Sequence, residues 1–240
     1  MKQKQFQSIG IFAILSILFS SCWFLGPSIR GNGNVKEEVR QVGQFDQIKV
    51  TRGMNVYITQ GTPAKVVVIA DSNLHEVIET EVRGNVLEIS CKENIRWARE
   101  KKVMVTVEKL TEVEVNAGAN VWSKSQIVSE NLKLHASSGA NLTMDVNAKS
   151  LNADCSSGAN MYLSGLAKEA ELDASSGANL RGKDLKADDC TIGASSGGNS
   201  SVTVMAKVDA NASSGVNVSY YGTPTSTNVN SSSGGNIHHR

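Results

Sequence analysis

Seven glycines punctuate the chain at near-constant intervals. They are Gly118, Gly139, Gly158, Gly177, Gly197, Gly215 and Gly234, separated by 21, 19, 19, 20, 18 and 19 residues. Two residues after each stands an asparagine: Asn120, Asn141, Asn160, Asn179, Asn199, Asn217 and Asn236. The shared stretch reads "SSGAN" at 137–141, 156–160 and 175–179, with a weaker echo, "GMNV", at 53–56. Self-similarity at a period near twenty is the mark of a solenoid, where each unit buries its apolar side against its neighbours.

The flanks of the glycines say what each unit is. Five residues before them lie Val113, Leu134, Ala153, Leu172, Ile192, Ala210 and Val229; three before lie Val115, Ala136, Cys155, Ala174, Ala194, Ala212 and Ser231. The intervening position carries Glu114, His135, Asp154, Asp173, Gly193, Asn211 and Asn230. Three after the glycine the chain is apolar again (Val121, Leu142, Met161, Leu180, Val218, Ile237), with Ser200 as the exception. This alternation has period two and excludes a helix. Each unit is therefore strand, tight turn, strand and a second bend, the last recurring as "NAKS" (147–150), "LAKE" (166–169) and "MAKV" (205–208). Glycine reaches positive φ without cost, and asparagine tolerates left-handed geometry. Stacked coil on coil, the asparagines are expected to form a ladder of side-chain amides. The expected fold is all-β, a parallel β-helix of about 19-residue coils with Ser-Gly-x-Asn turns, and regular over 111–237.

Residues 44–110 lack the turn motif but are equally strand-like in "QIKVTRGMNVYIT" (47–59), "KVVVIA" (65–70), "NVLEIS" (85–90) and "KVMVTVEKL" (102–110). They read as irregular first coils that cap the same 44–237 domain, with room for one small helix in "SNLHEVIETE" (72–81). The start of the chain differs. Lys2 and Lys4 precede the apolar run 9–19, and Ser20 and Ser21 lead into Cys22. That layout is a secretory signal over 1–21, and its ending resembles a bacterial lipobox with Cys22 as the lipid-bearing residue. An uncleaved anchor helix through 22–26 is the alternative. Residues 22–43, rich in Gly, Asn and charge, read as a tether.

The turns, the opening strand "VTRGMNV" (50–56), the segment "RGNVLEI" (83–89) and the lipoprotein-like start resemble the auto-transporter adhesin head family, also called the GIN domain. The resemblance covers about 44–237. It implies a right-handed single-stranded β-helix, similar in shape to pectin lyases, on an adhesin of Bacteroidetes-type bacteria.

That shape raises an enzyme reading. Stacking would put Glu114, His135, Asp154 and Asp173 in one outward column about 4.8 Å apart. Such a column could serve a lyase, a glycosidase or a Ca²⁺ site, or be plain solvated surface with Lys133 beside it. No nucleophile motif and no calcium nonapeptide repeat is present. The reading adopted is a non-catalytic adhesin without cofactor or metal, the polysaccharide-active enzyme being the alternative. Tyr162, outward between Thr143 and Arg181, and Trp97, in the basic loop 92–102, are the candidate ligand contacts for a glycan or protein. His238 and His239 sit too near a terminus to suggest metal. Cys91, Cys155 and Cys190 lack zinc spacing, and the latter two fall about 10 Å apart along the stack and about 13 Å along the strand, beyond disulfide reach. They are expected to be buried free thiols. A formal net charge of +1 gives no indication of nucleic acid. The expected location is a bacterial outer membrane, lipid-anchored, facing the cell surface or the periplasm; self-association is left open.

Overall fold

The computed structural model describes residues 28–240; the expected signal segment, 1–21, and Cys22 lie outside the described residues. The chain enters through β1 (Ser28–Arg30), β2 (Val35–Arg40), β3 (Gln47–Val50), β4 (Asn55–Gln60) and β5 (Lys65–Asp71). It continues in β6 (Ile78–Arg83), β7 (Val86–Cys91), β8 (Asn94–Trp97) and β9 (Lys101–Val107). The repeat region holds β10 (Glu112–Val115), β11 (Asn120–Ser123), β12 (Ile127–Ala136), β13 (Asn141–Cys155) and β14 (Asn160–Ala174). After it come β15 (Asn179–Ala194), β16 (Asn199–Ser213), β17 (Asn217–Tyr221), β18 (Ser226–Ser232) and β19 (Asn236–His239).

From β10 onward the strands stack in parallel, each unit on the one before, in a single 17-stranded sheet. The motif positions define the register: Asn120, Asn141, Asn160, Asn179, Asn199, Asn217 and Asn236 are successive partners. The fold is the expected β-solenoid. Its core is the stacked inward columns; Val113, Leu134, Leu172, Ile192 and Ala210 are all fully buried. Removing a leucine or isoleucine side chain from water contributes about 1.5–3 kcal/mol. The column ends at the last coil, where Val229, expected to face inward, is 50% exposed because no further coil covers it.

Each tight turn uses two left-handed residues, not one. Ser157 (φ 51°) precedes Gly158 (φ 71°), and Ser138/Gly139 and Ser176/Gly177 repeat the pair. The loop closes by an Ala159 N–H bond to the Ser156 carbonyl at 3.0 Å, as in a type I′ turn. The asparagines are not left-handed; Asn160 begins the next strand. Their side chains form the expected ladder. Asn120 donates to Asn55 (3.0 Å), Asn141 to Asn120 (2.8 Å) and Asn160 to Asn141 (3.1 Å). Asn179 donates to Asn160 (3.2 Å), Asn199 to Asn179 (3.1 Å) and Asn217 to Asn199 (3.2 Å). Asn55 belongs to the "GMNV" echo, whose Arg52 and Gly53 make the same left-handed pair.

At the second bend the strands continue, β13, β14 and β16 each running 15 residues through it, although the pairing skips one position there, at Lys149 and Lys168. The corner shows as a slip in alternation. Ala148 faces in, Lys149 and Ser150 both face out, and Leu151 faces in; Ala167, Lys168, Glu169 and Ala170 repeat this.

The N-terminal half departs from expectation in three ways. First, it does not wind in chain order. The coil made by β3 and β4 lies between β10/β11 on one side and β7/β9 on the other. The outer edge is then closed by antiparallel strands, β6 on β7 and β5 on β9, with β2 on β5. The edge strands at that end are therefore β2 and β6, short antiparallel strands that each pair on one side among the described residues. Second, the expected helix is a 3₁₀ turn, Ser72–Leu74, followed by β6. Leu74 is buried, and Ile78 opposite Cys91 continues the core as a strand.

Third, much of the supposed tether is structured. β1 pairs with β8 and β2 with β5. The fastening is the buried carboxylate of Asp71, which accepts backbone N–H bonds from Gly33 (2.8 Å), Arg99 (3.2 Å) and Glu100 (3.2 Å). A Cβ at Gly31 would run into that carboxylate, and Gly33 has a φ of 75°. The glycines that looked like linker composition are thus structural, Gly31 for this close approach and Gly33 for its left-handed backbone.

Candidate functional site

The solenoid turns sequence period into surface columns, and two of them carry the candidate residues. The first holds the acids. Glu114, His135, Asp154 and Asp173 are consecutive partners across β10, β12, β13 and β14, with Lys49 preceding Glu114 and Gly193 following Asp173. The members are not alike. Glu114 is held by the Lys49 ammonium at 3.0 Å and the Asn116 amide at 2.6 Å. The His135 ring lies 4.0 Å from Glu112, in the neighbouring column. Asp173 leans over Gly193, where any Cβ would meet its carboxylate oxygen. Burial, then the charges of Glu171 and Asp154, push the Asp173 pKa up. Lys133, expected to offset the column, makes no ion pair among the described residues; Asn152 instead donates to Glu171 at 2.9 Å. Beside the acids runs a shallow groove of about 750 Å³ lined by Lys133, Glu169, Glu171, Asp189, Lys207 and Asp209. Among the described residues no three His, Cys, Asp or Glu converge as a metal-ligand set.

The second column lies four residues past each motif glycine. Tyr162 is 40% exposed in β14. Arg181, its partner in β15, donates to the Tyr162 hydroxyl at 2.9 Å and lays its guanidinium 5.1 Å from the ring centre. Across Thr143 the column continues to Trp122 and Tyr57. Those two rings stack at 4.9 Å with 16° between planes, and the Lys124 ammonium sits 4.7 Å from Tyr57. Tyr57 and Trp122 were not among the sequence candidates. The signal was present, since "GMNV" places Tyr57 at the same offset from Gly53 as Tyr162 from Gly158. Cation–π contacts of this kind contribute about 0.5–1 kcal/mol when exposed and hold each ring in one orientation.

Trp97 does not join this column. It lies in β8, in the two-stranded sheet with β1, 47% exposed, with the Arg30 guanidinium 5.2 Å from its ring. Nor do the cysteines form a site. Cys91, Cys155 and Cys190 are buried free thiols, and burial pushes Cys155 and Cys190 up to about 12. A thiol that stays protonated is a poor nucleophile. The imidazole of His239 stacks on Tyr220 at 4.7 Å, giving that terminal histidine a packing role.

Comparison with known proteins places this architecture. The family model described as "Putative auto-transporter adhesin, head GIN domain" matches residues 44–224. A crystal structure titled a putative adhesin, from Bacteroides fragilis, superposes with a TM-score of 0.83 at 19% identity, covering 88% of this chain and 100% of that one. One from Parabacteroides distasonis, titled a putative lipid binding protein, gives 0.70 at 16% identity and covers 89% and 99%. A second from P. distasonis, titled a putative adhesin, gives 0.70 at 18% identity and covers 89% and 100%. At these identities the structures share the fold. No match was found among curated protein sequences. The family match spans most of the chain, including the stacked turns and the asparagine ladder, and the protein belongs to the auto-transporter adhesin head (GIN) domain family.

Proposed function

We propose that this protein is a non-catalytic, adhesin-like lipoprotein of the cell envelope, which presents a rigid solenoid face to a glycan or protein ligand. The observation that carries the reading is the column Tyr57, Trp122, Thr143, Tyr162 and Arg181. Its rings are held by the Tyr57–Trp122 stack and by cation–π contacts at Tyr57 and Tyr162, on strands tied coil to coil through backbone and asparagine bonds. Rigid aromatic and arginine side chains suit recognition because little side-chain freedom is lost on binding. The acid column supports turnover less well, since Glu114 is already paired with Lys49 and Asn116. Asp173, with its raised pKa beside Asp154, is the one feature that favours a catalytic reading.

Cys22 is the proposed lipid attachment point, which would hold the solenoid at an outer membrane, facing the cell surface or the periplasm. The ligand reading is tested by a glycan and protein array probed with the wild type and with Tyr162→Ala and Arg181→Ala. Binding lost in both variants, with unchanged melting, supports the column. Binding indifferent to both refutes it.

A further inference from the structure

A second surface, at the bend opposite the turns, carries features that the aromatic column does not explain. Seven large hydrophobic residues are conspicuously exposed among the described residues, and three of them share one groove: Val128 (57%), Leu166 (51%) and Met205 (47%). The groove measures about 800 Å³ and runs along the stack where the alternation slips at the corner. Its floor is small. Ser129, Ala148 and Ala167 line it as successive partners, and both alanines are buried. On one wall Val128, Asn147, Leu166 and Lys186 follow in register, apolar and polar by turns, while Met205 lies past the register slip at Ala187/Asp189, on the side of Asp188. The other wall carries Glu130, Lys149, Lys168 and Asp188.

The electrostatics select the occupant. Lys109, Lys149, Lys168 and Lys186 line the groove against Glu130 and Asp188, a local excess of positive charge. Of these four lysines only Lys149 has a carboxylate partner among the described residues, Glu130 at 3.7 Å, leaving Lys168 and Lys186 available. The shape narrows the choice further. Outward residues flanking one inward alanine stand about 7 Å apart, too close for a helix about 10 Å wide to settle between them. The floor strands are paired on both sides by their neighbouring coils, so no backbone row is open to an added peptide strand. An acyl chain needs neither the width nor the backbone bonds.

We propose that this trough binds a single-chain anionic amphiphile. Its chain lies along Val128, Leu166 and Met205, and its carboxylate or phosphate head reaches Lys168 and Lys186. The proposal is independent of the aromatic column. It is tested by calorimetric titration of the protein with laurate, kept monomeric, beside dodecyltrimethylammonium as the cationic counterpart. Saturable one-to-one binding of laurate, absent for the cation, is expected. Leu166→Asn should weaken laurate by about tenfold, roughly 1.4 kcal/mol. Lys168→Gln with Lys186→Gln should weaken it comparably. Because all three positions are exposed, melting temperatures should stay unchanged, which separates lost binding from lost fold. No binding, equal binding of both head groups, or indifference to Leu166→Asn would overturn the proposal. So would attachment to phosphatidylglycerol vesicles without binding of monomeric laurate, since that identifies a bilayer surface as the partner.

Discussion

Replacing Asn160 by alanine removes two rungs of the amide ladder, the bond it donates to Asn141 at 3.1 Å and the one it accepts from Asn179 at 3.2 Å. A net contribution of about 0.5–1.5 kcal/mol per bond puts the expected loss near 2 kcal/mol. For a chain of this size that is a fall of about 4–8 °C in melting temperature. Asn236→Ala is the internal control. Its amide bonds only the Gly234 carbonyl of its own turn, at 3.5 Å, so its removal should cost under about 0.5 kcal/mol. Adjacent rungs also make a prediction that single changes cannot. Asn179→Ala removes the bonds to Asn160 and from Asn199, yet the double variant with Asn160→Ala loses three bonds rather than four, because one is shared. The double-mutant cycle should therefore be sub-additive by one bond, about 1 kcal/mol, read from denaturant or thermal melts followed by circular dichroism. Strict additivity, or equal costs for Asn160→Ala and Asn236→Ala, would refute the ladder as a source of stability.

Other expectations follow from single residues. Ser200 occupies an inward position where other coils place leucine, methionine or valine, and its buried hydroxyl has no partner. Ser200→Ala should raise stability by about 1 kcal/mol, and a lower melting temperature would show that the hydroxyl is bonded. Gly158→Ala adds a Cβ that meets nothing within 4 Å, so its cost, about 1–2 kcal/mol, is backbone strain at φ 71° alone; a neutral result would remove the turn assignment. Two carboxylates should respond to pH with opposite signs. Burial raises the Asp71 pKa, but bonds from the Gly33, Arg99 and Glu100 amides and the Arg99 charge outweigh it, and the net shift is downward. Its stabilisation is therefore present above the unfolded value near 3.9 and lost as pH falls through the lower folded value. Asp173, raised by burial and by Glu171 and Asp154, does the reverse, with stability fully present below the unfolded value and lost as pH rises through the folded one. Melting curves across pH should show Asp71→Asn closing its deficit only in strong acid and Asp173→Asn neutral or slightly stabilising at pH 7; a shared sign would contradict both environments.

The repeat half was legible because one turn fixes the register of everything after it. Once Gly158 aligns with Gly177, Asp154 must face Asp173 and Tyr162 must face Arg181, as the strand pairing bears out. The other half hid its topology, since period-two alternation is identical in parallel and antiparallel strands. Nothing in "KVVVIA" tells that β5 runs against β9. Residues 28–40 read as tether because Gly31 and Gly33 have the composition of a linker, while their partner, Asp71, is distant in sequence. The left-handed serines escaped notice because glycine alone signals positive φ by its chemistry. The apolar groove was invisible for a related reason: Val128, Leu166 and Met205 sit where alternation slips, and a strict period-two count assigns them no face.

In the proposed adhesin role the solenoid supports recognition and performs no chemistry on what it holds. That role is tested most directly by incubating the protein with a panel of acidic polysaccharides while measuring bound protein together with reducing ends and unsaturated products. Binding without release of either product, unchanged by Asp154→Asn or Asp173→Asn, is expected. Product release by the wild type that both substitutions abolish would contradict it and make the acid column an active site.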